Sequence, residues 1–209
     1  MKNFKDSIKI LISNIIIIYI SCFFLASCAQ ILVGGASTGG LIIVQERTAQ
    51  EAAKDIVIKT KIEESLFSSN YDDLFSKVKV IVIEGRVLLV GTLNNIEDRD
   101  KAAKIAWKTK NVREVANYTN IGKSQFVDYI KDTRISLEFR GRILASPDIS
   151  EVNFTSTTEN RIIYIMGISQ SKEEKEKVEN IAKKVPGVKK VISLIINKDD
   201  PKRNLFKRK

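Results

Sequence analysis

Hydrophobic positions along the chain follow two alternating periods. Apolar residues four apart mark one face of a helix, and runs rich in β-branched residues mark strands. In the first half of the folded region these patterns predict a helix, a hairpin, a second helix and a closing strand. The predicted elements are a helix with Ile58, Ile62 and Leu66 on one face, two strands within 78–90 turning at Glu84-Gly85-Arg86, a helix from Asn95 to Trp107, and a strand from Val112 to Ile121.

The same succession returns 76 residues later, which indicates an internal repeat. Gly91 matches Gly167, and Val112 and Val115 match Val188 and Val191 at one constant offset. The second copy predicts a helix over 132–145, a hairpin over 152–168, a helix over 171–184 and a strand over 188–197. The sequence therefore predicts an α+β protein built from two tandem αββαβ modules, over 52–121 and 126–197.

The N-terminus has the pattern of a secretory signal. Three lysines precede an uncharged apolar run from Ile10 to Leu25, which is short for a membrane-spanning helix. Leu25-Ala26-Ser27-Cys28 resembles the lipobox of bacterial lipoproteins, which implies cleavage after residue 27 and acylation of Cys28. An uncleaved anchor with a chance cysteine is the alternative. Ala29 in place of aspartate implies, within that family, sorting to the outer membrane, with the modules facing the periplasm.

Processing leaves a basic chain without a disulfide. The formal net charge is +10, and loss of three lysines and Asp6 with residues 1–27 leaves +8. Cys22 departs with the signal and Cys28 carries the lipid, so the modules rely on their cores alone. The Gly-rich stretch within 28–51 is typical of a flexible linker. The positive charge favours an anionic partner, and export disfavours nucleic acid.

The modules resemble the BON domain. The αββαβ order, the hairpin glycine and the approach Gly187-Val188-Lys189-Lys190-Val191 carry the resemblance, although the first copy has Asn111 where the second has Gly187. A lipobox, a tether and two such modules together are similar to the dual-BON outer-membrane lipoproteins. This resemblance implies non-enzymatic binding of anionic phospholipid through the second domain, in support of envelope integrity.

Residues suited to catalysis or metal binding are scarce. Histidine is absent and no free cysteine remains after processing, which removes the commonest base, metal ligand and thiol nucleophile. Acidic pairs such as Glu97-Asp98 fall on predicted helix surfaces. We therefore expect no enzyme, no cofactor and no metal.

The first helix of the second module has an additional apolar stripe opposite its core face. One interpretation packs this stripe against the other module or the linker, and the other inserts it shallowly into a membrane while arginines contact phosphates. Position 134 is an arginine, whereas members of the family can have an aromatic residue there. The arginine retains attraction to phosphate but lacks an aromatic ring that would insert at the membrane interface. The candidate phospholipid-binding residues are Ile130, Arg134, Leu137, Arg140, Gly141, Arg142 and Leu144.

Two further features have open interpretations. Trp107 matches Lys183 in the repeat, so we expect it to face outward, in a module–module contact rather than at a membrane interface. The basic tail 198–209 has five lysines and arginines after Asp199, on either side of Leu205-Phe206, and is either drawn to lipid or simply solvated. An envelope protein is the alternative partner to phospholipid, with the chain then serving as a scaffold.

Overall fold

The computed structural model describes residues 47–123 and 126–203, apart from the Phe126 side chain. The chain divides into a unit of residues 1–42 and a compact unit of residues 43–209, and the described residues belong to the second. The predicted signal peptide 1–27, Cys28, most of the linker 28–51 and residues 204–209 of the tail lie outside the described ranges. Within these ranges, no helix combines the length and the apolar character needed to cross a membrane.

The αββαβ order predicted for each copy is confirmed. The first module consists of α1 (Ala49–Ser69), a π-helical turn (Tyr71–Phe75), β1 (Val78–Ile83), β2 (Arg86–Leu93), α2 (Ile96–Lys108) and β3 (Glu114–Ile121). The second consists of α3 (Phe126–Leu144), a 3-10 turn (Glu151–Asn153), β4 (Phe154–Glu159), β5 (Ile162–Ser169), α4 (Lys172–Lys183) and β6 (Lys190–Asn197).

Helix α1 begins three residues before the predicted start of the first module. Thr48 and Glu51 form a capping box, in which the Thr48 hydroxyl accepts from the Glu51 backbone N–H and the Glu51 carboxylate accepts from the Thr48 backbone N–H. Two otherwise unpaired groups of the helix start are satisfied in this way. The N-terminal boundary is therefore set by polar capping, ahead of the first buried apolar residue, Ile58.

Each module forms its own three-stranded sheet. The central strand pairs antiparallel with the first strand and parallel with the last, giving the orders β1-β2-β3 and β4-β5-β6. A helix connects the two parallel strands, as a parallel pairing requires. The helices of each module cover one face of its sheet, and the apolar residues between them form one core per module.

The repeated glycines lie where two backbone segments approach closely. A Cβ atom at Gly167 would sit 2.6 Å from the Asn153 carbonyl oxygen, and one at Gly91 would overlap the Lys77 carbonyl oxygen. Gly187 has φ +90°, and Asn111 at the matching position of the first module has φ +70°. Asparagine tolerates this left-handed conformation better than most residues, which explains how the first copy departs from glycine there.

The second faces of the two sheets pack against each other. Alternate residues of β1 and β2 point away from their own core and meet alternate residues of β5, with partly buried residues of β3 and β6 at the edges. The buried members of this interface cluster are Ile81, Ile83, Leu88, Val90, Tyr164, Met166 and Ile168. The described part of the chain is thus layered as helices, sheet, sheet and helices. Burial in the interface raises the pKa of Tyr164.

Polar contacts also join the modules. Glu159 of the second module accepts from the Thr92 hydroxyl at 2.7 Å and from the Lys79 ammonium at 3.0 Å. After β6 the chain returns to the first module, where the Arg203 guanidinium contacts the Glu84 carboxylate at 2.6 Å with both side chains buried. The segment that follows β6 therefore connects the second module to the β1–β2 turn of the first.

Candidate functional site

The exposed stripe predicted on the first helix of the second module lies on the outer side of α3. Its inner side buries Ile135, Phe139 and Ile143 against the sheet. Leu137, in the middle of the outer side, remains 68% exposed, and Ile130 and Leu144 are more than half exposed. Among the described residues nothing covers this stripe, so the first module does not pack against it. The reason is that the modules meet through their sheets and leave the helical layers outside. Packing against the linker, the other part of that interpretation, falls mostly outside the described residues.

A groove runs along this side of α3, with a volume of about 650 Å³. It brings together five of the predicted residues and adds four that the sequence analysis missed. The predicted residues are Ile130, Arg134, Leu137, Gly141 and Arg142, and the additional ones are Tyr129, Thr133, Glu138 and Ala145. Arg140 and Leu144 do not line the groove.

Tyr129 adds an aromatic residue to the site that the sequence predicted. This residue is 62% exposed and lies in the groove two turns before Leu137. A tyrosine at such a position offers an aromatic body and a polar tip, the combination suited to a boundary between water and an apolar phase. Tyr129 therefore supplies the aromatic side chain that position 134 lacks. The sequence signal for this was the spacing of four from Tyr129 through Thr133 to Leu137, which places the three residues on one face of the helix.

The three arginines of the stripe are not equivalent. Arg142 contacts Glu138 at 2.8 Å and donates to the Lys184 carbonyl oxygen at 3.3 Å, and Arg140 contacts Glu151 at 3.4 Å. Arg134 is exposed and has no ion pair among the described residues. The guanidinium of Arg134 is consequently the cation of this groove that is free to meet an external anion.

Gly141 leaves room in the groove wall. A Cβ atom built on it meets no atom within 4 Å, so neither packing nor a left-handed backbone demands glycine here. Because glycine weakens a helix interior, its presence opens the surface between Leu137 and Arg142 at some cost in helix stability. The backbone of α3 is thereby accessible from the groove.

A second, more polar hollow of about 400 Å³ adjoins the groove at Ala145. Among its lining residues, Lys177 and Asp148 form an ion pair, with 2.8 Å between Lys177 Nζ and Asp148 Oδ2. The hydrogen bond from Lys177 holds the pKa of Asp148 below its usual value. Lys184 also lines this hollow. Among the described residues, no group of three histidine, cysteine, aspartate or glutamate side chains is arranged to hold a metal ion.

Trp107 lies outside the module contact. It is 55% exposed on α2, and the interface cluster is formed by strand residues. The outward orientation follows the prediction from Lys183, whereas the favoured module–module contact does not occur within the described residues. The helices cover the outer faces of the sheets, which places an outward helical residue far from the interface.

Two buried carboxylates that the sequence analysis missed hold the hairpins. The Asp132 carboxylate accepts from the backbone N–H groups of Asn160 and Arg161, both at 2.7 Å. Asp55 does the same for Glu84 and Gly85, at 2.7 and 2.9 Å. The signal was present in the repeat, because an aspartate recurs beside the core positions of each first helix.

The comparisons with known proteins agree with this architecture. The chain is 38% identical over 143 residues to an uncharacterised protein of the gshII 5′ region of Anaplasma centrale, covering 68% of this chain and 93% of that protein. It is 25% identical over 173 residues to the outer membrane lipoprotein DolP of Haemophilus influenzae, covering 82% and 89%. A 21 kDa hemolysin of Actinobacillus pleuropneumoniae is 24% identical, covering 73% and 72%.

A solved structure, of the type III secretion structural protein CdsD of Chlamydia trachomatis, aligns with a TM-score of 0.29 and 12% identity over 74% of this chain and 69% of that one. This likeness is too weak to support an argument. The BON domain family model, by contrast, matches residues 47–123 and 131–197, which together make up more than half of the chain. The chain belongs to the BON domain family, with two BON domains in a DolP-like arrangement.

Proposed function

We propose that this protein is a non-enzymatic lipoprotein of the bacterial outer membrane that binds anionic phospholipid through its second BON domain. In this proposal Cys28 carries the lipid anchor, the modules face the periplasm, and the protein supports envelope integrity. The similarity to an outer membrane lipoprotein supports the location. The observation that supports phospholipid as the ligand is the exposed Leu137 stripe beside the unpaired Arg134.

The groove on α3 suits the boundary of a bilayer. Leu137 and Ile130 provide apolar surface for shallow insertion, and Tyr129 provides an interfacial aromatic ring. Arg134 lies beside this apolar surface, where its guanidinium can donate two parallel hydrogen bonds to a phosphate. An amphipathic helix that joins apolar surface with unpaired cations binds anionic membranes in preference to neutral ones.

Vesicle sedimentation tests the ligand. Residues 43–209 hold both cores and the interface cluster and are mixed with vesicles of phosphatidylglycerol and phosphatidylcholine, or of phosphatidylcholine alone. We expect binding to the anionic vesicles alone, weakened by salt. Leu137→Asp and Arg134→Glu should each abolish it. The matched controls are Ile56→Asp and Lys101→Glu, both exposed on the helices of the first module, and both should bind normally.

Two results would refute the phospholipid proposal. Absence of binding by the unaltered protein would leave the anchor as its only membrane contact. Equal losses in the control variants would mean that net charge, rather than the groove, governs binding. Either result would favour the alternative, a scaffold that docks envelope proteins.

The anchor is tested separately in cells. Metabolic labelling with radioactive palmitate should mark the protein, and the label should disappear in Cys28→Ser. Cys22→Ser is the control and should retain the label, because residue 22 belongs to the predicted signal peptide. Labelling that persists in Cys28→Ser would contradict the proposed anchor while leaving the vesicle test unaffected.

A further inference from the structure

Three aromatic side chains form an exposed cluster on the first module. Tyr71 and Phe75 are stacked at 5.7 Å between ring centroids, and Phe67 meets both edge-on at 5.5 and 5.4 Å. Phe67 and Tyr71 are each more than half exposed. We call these three residues the aromatic patch. A contiguous apolar surface of this kind is typical of an interaction site.

The π-helical turn sets the position of these rings. Its backbone N–H groups at Phe75 and Ser76 donate five residues back, to Asn70 and Tyr71. The fully buried Leu74 anchors the turn in the core, which leaves Tyr71 and Phe75 on the outside. Irregular π-helical turns occur often at functional sites.

The second module lacks this arrangement. Asp55 and Asp132 are 77 residues apart, whereas Gly91 and Gly167 are 76 apart, so the first module carries one extra residue between its helix and its hairpin. The π-helical turn lies in this segment. At the positions of Phe67 and Phe75 the second module has a leucine and a glutamate, so the patch is a property of the first module alone and the fold does not require it.

The surroundings of the aromatic patch are acidic, in contrast to the rest of the chain. Residues 62–76 contain four carboxylates and no lysine or arginine, although the chain as a whole has a net charge of +10. Asp73 is occupied, since it accepts from Asn94 at 2.6 Å and from Lys77 at 2.9 Å. Glu64 and Asp72 are exposed and have no ion pair among the described residues. Two carboxylates without an ion pair therefore lie within three residues of the rings along the chain.

We propose that the aromatic patch docks a cationic segment of another protein, in which arginine or lysine alternates with apolar side chains. Aromatic faces attract guanidinium and ammonium groups, and the carboxylates of Glu64 and Asp72 complete the charge match. The same carboxylates repel an anionic lipid surface. The patch thus complements the α3 groove, whose free charge has the opposite sign.

Fluorescence anisotropy with a defined probe tests this docking site. The probe is a short fluorescein-labelled peptide of alternating arginine and leucine, and the protein is residues 43–209. We expect saturable binding that weakens by about fivefold or more in Phe67→Ser and in Tyr71→Ser, as for an aromatic anchor of an interface. The double substitution Glu64→Lys with Asp72→Lys keeps the rings and should abolish binding.

The controls separate the patch from general charge. Ile56→Ser alters an apolar residue that is at least as exposed and lies about 16 Å earlier on the same helix, and this variant should bind the probe normally. A peptide with glutamate for arginine should not bind, and one with serine for leucine should bind weakly. Far-ultraviolet circular dichroism of each variant shows that the fold is retained.

Several outcomes would overturn the proposal. Binding of the glutamate peptide would show that the patch does not select a cationic partner. Equal weakening by Ile56→Ser would show that the probe does not bind at the aromatic patch. Sedimentation of residues 43–209 with anionic vesicles that Phe67→Ser and Tyr71→Ser abolish would assign the patch to lipid. Concentration-dependent dimers in analytical ultracentrifugation that Tyr71→Ser dissociates would assign it to a second copy, and tighter probe binding after deletion of residues 204–209 would assign it to the chain's own tail.

Discussion

The substitution Asp132→Asn isolates the effect of a buried carboxylate on one hairpin. Asparagine has nearly the same shape as aspartate, so packing around α3 is preserved. Its amide oxygen can still accept from one of the two backbone N–H groups, Asn160 or Arg161, that lie 2.7 Å from the carboxylate. The amide nitrogen, however, is a donor and would face the second N–H group, which then loses its partner.

The expected loss of stability follows from these contacts. A hydrogen bond to a charged group contributes about 1.5–3 kcal/mol, and an unsatisfied buried donor costs about 1–3 kcal/mol. Both turn residues also have positive φ, 53° at Asn160 and 64° at Arg161, a conformation that asparagine tolerates and that is unfavourable for arginine. We therefore expect Asp132→Asn to lower the free energy of unfolding by about 2–4 kcal/mol, a large part of the stability of a small domain.

Urea denaturation of residues 43–209, followed by circular dichroism, measures this loss. Asp128→Asn is the matched control on the same helix, since Asp128 is only part-buried and its contact with Lys131 is 3.8 Å long. We expect the control to change stability by less than about 0.5 kcal/mol. Adding Arg161→Gly to Asp132→Asn should recover about 1 kcal/mol, because glycine removes the backbone strain. If Asp132→Asn and Asp128→Asn lose equal stability, the carboxylate does not hold the hairpin.

Three further perturbations test other parts of the molecule. Gly141→Ala should raise the free energy of unfolding by about 0.5–1 kcal/mol, since a Cβ atom there meets open space; destabilisation in urea would contradict this. Arg203→Met should cost about 3–5 kcal/mol by leaving the Glu84 carboxylate buried and unpaired, and Glu84→Gln should restore part of the loss in the same assay. Hydrogen bonding from Lys77 lowers the pKa of Asp73 below 3.8, so this pair stabilises the fold above that pH and the contribution is lost as pH falls through the lowered pKa. NMR titration of Lys77→Met should find the Asp73 pKa raised toward 3.8, and an unchanged value would refute the assignment.

The elements of the fold could be predicted because they depend on local patterns. The second helix was predicted to begin at Asn95, and the Asn95 side chain accepts from the Asp98 backbone N–H as the cap of α2. The matching offset of Gly91 and Gly167 located both hairpins. These features involve residues close in sequence, or a repeat that can be read by alignment, so no knowledge of tertiary packing was needed.

The contact between the modules could be predicted only in part. In β2, every residue from Arg86 to Leu93 is buried, and such a continuous run indicates a strand covered on both faces. The apolar character of β2 was visible in the sequence, but it does not identify the residues that cover the second face of the strand. That face is covered by β5 through Tyr164 and Met166, and a partner so distant along the chain cannot be identified from local periodicity.

The candidate site was predictable as a stripe, although its charges were not. Ile130, Leu137 and Leu144 are seven residues apart, which placed them together on the outer face of α3. The ion pair of Arg140 with Glu151 depends on where the loop after the helix returns, and this determines that Arg134 is the free cation. The sequence could therefore predict the apolar side of the groove and left the choice among the arginines to tertiary structure.

The layered arrangement explains why the two copies differ where they do. Within the described residues, each sheet has helices on one face and the other sheet on its second face, which leaves the outer helical layers open for binding. In these layers the modules have diverged: Leu137 and Arg134 of the second module replace Thr60 and Val57 of the first, whereas Phe67 of the first replaces Leu144 of the second. The layers lie on opposite sides of the sheet pair, so a molecule whose α3 groove rests on a membrane would present its aromatic patch away from that membrane. Since the patch is acidic and the groove has a free cation, each surface is suited to a partner that the other one repels.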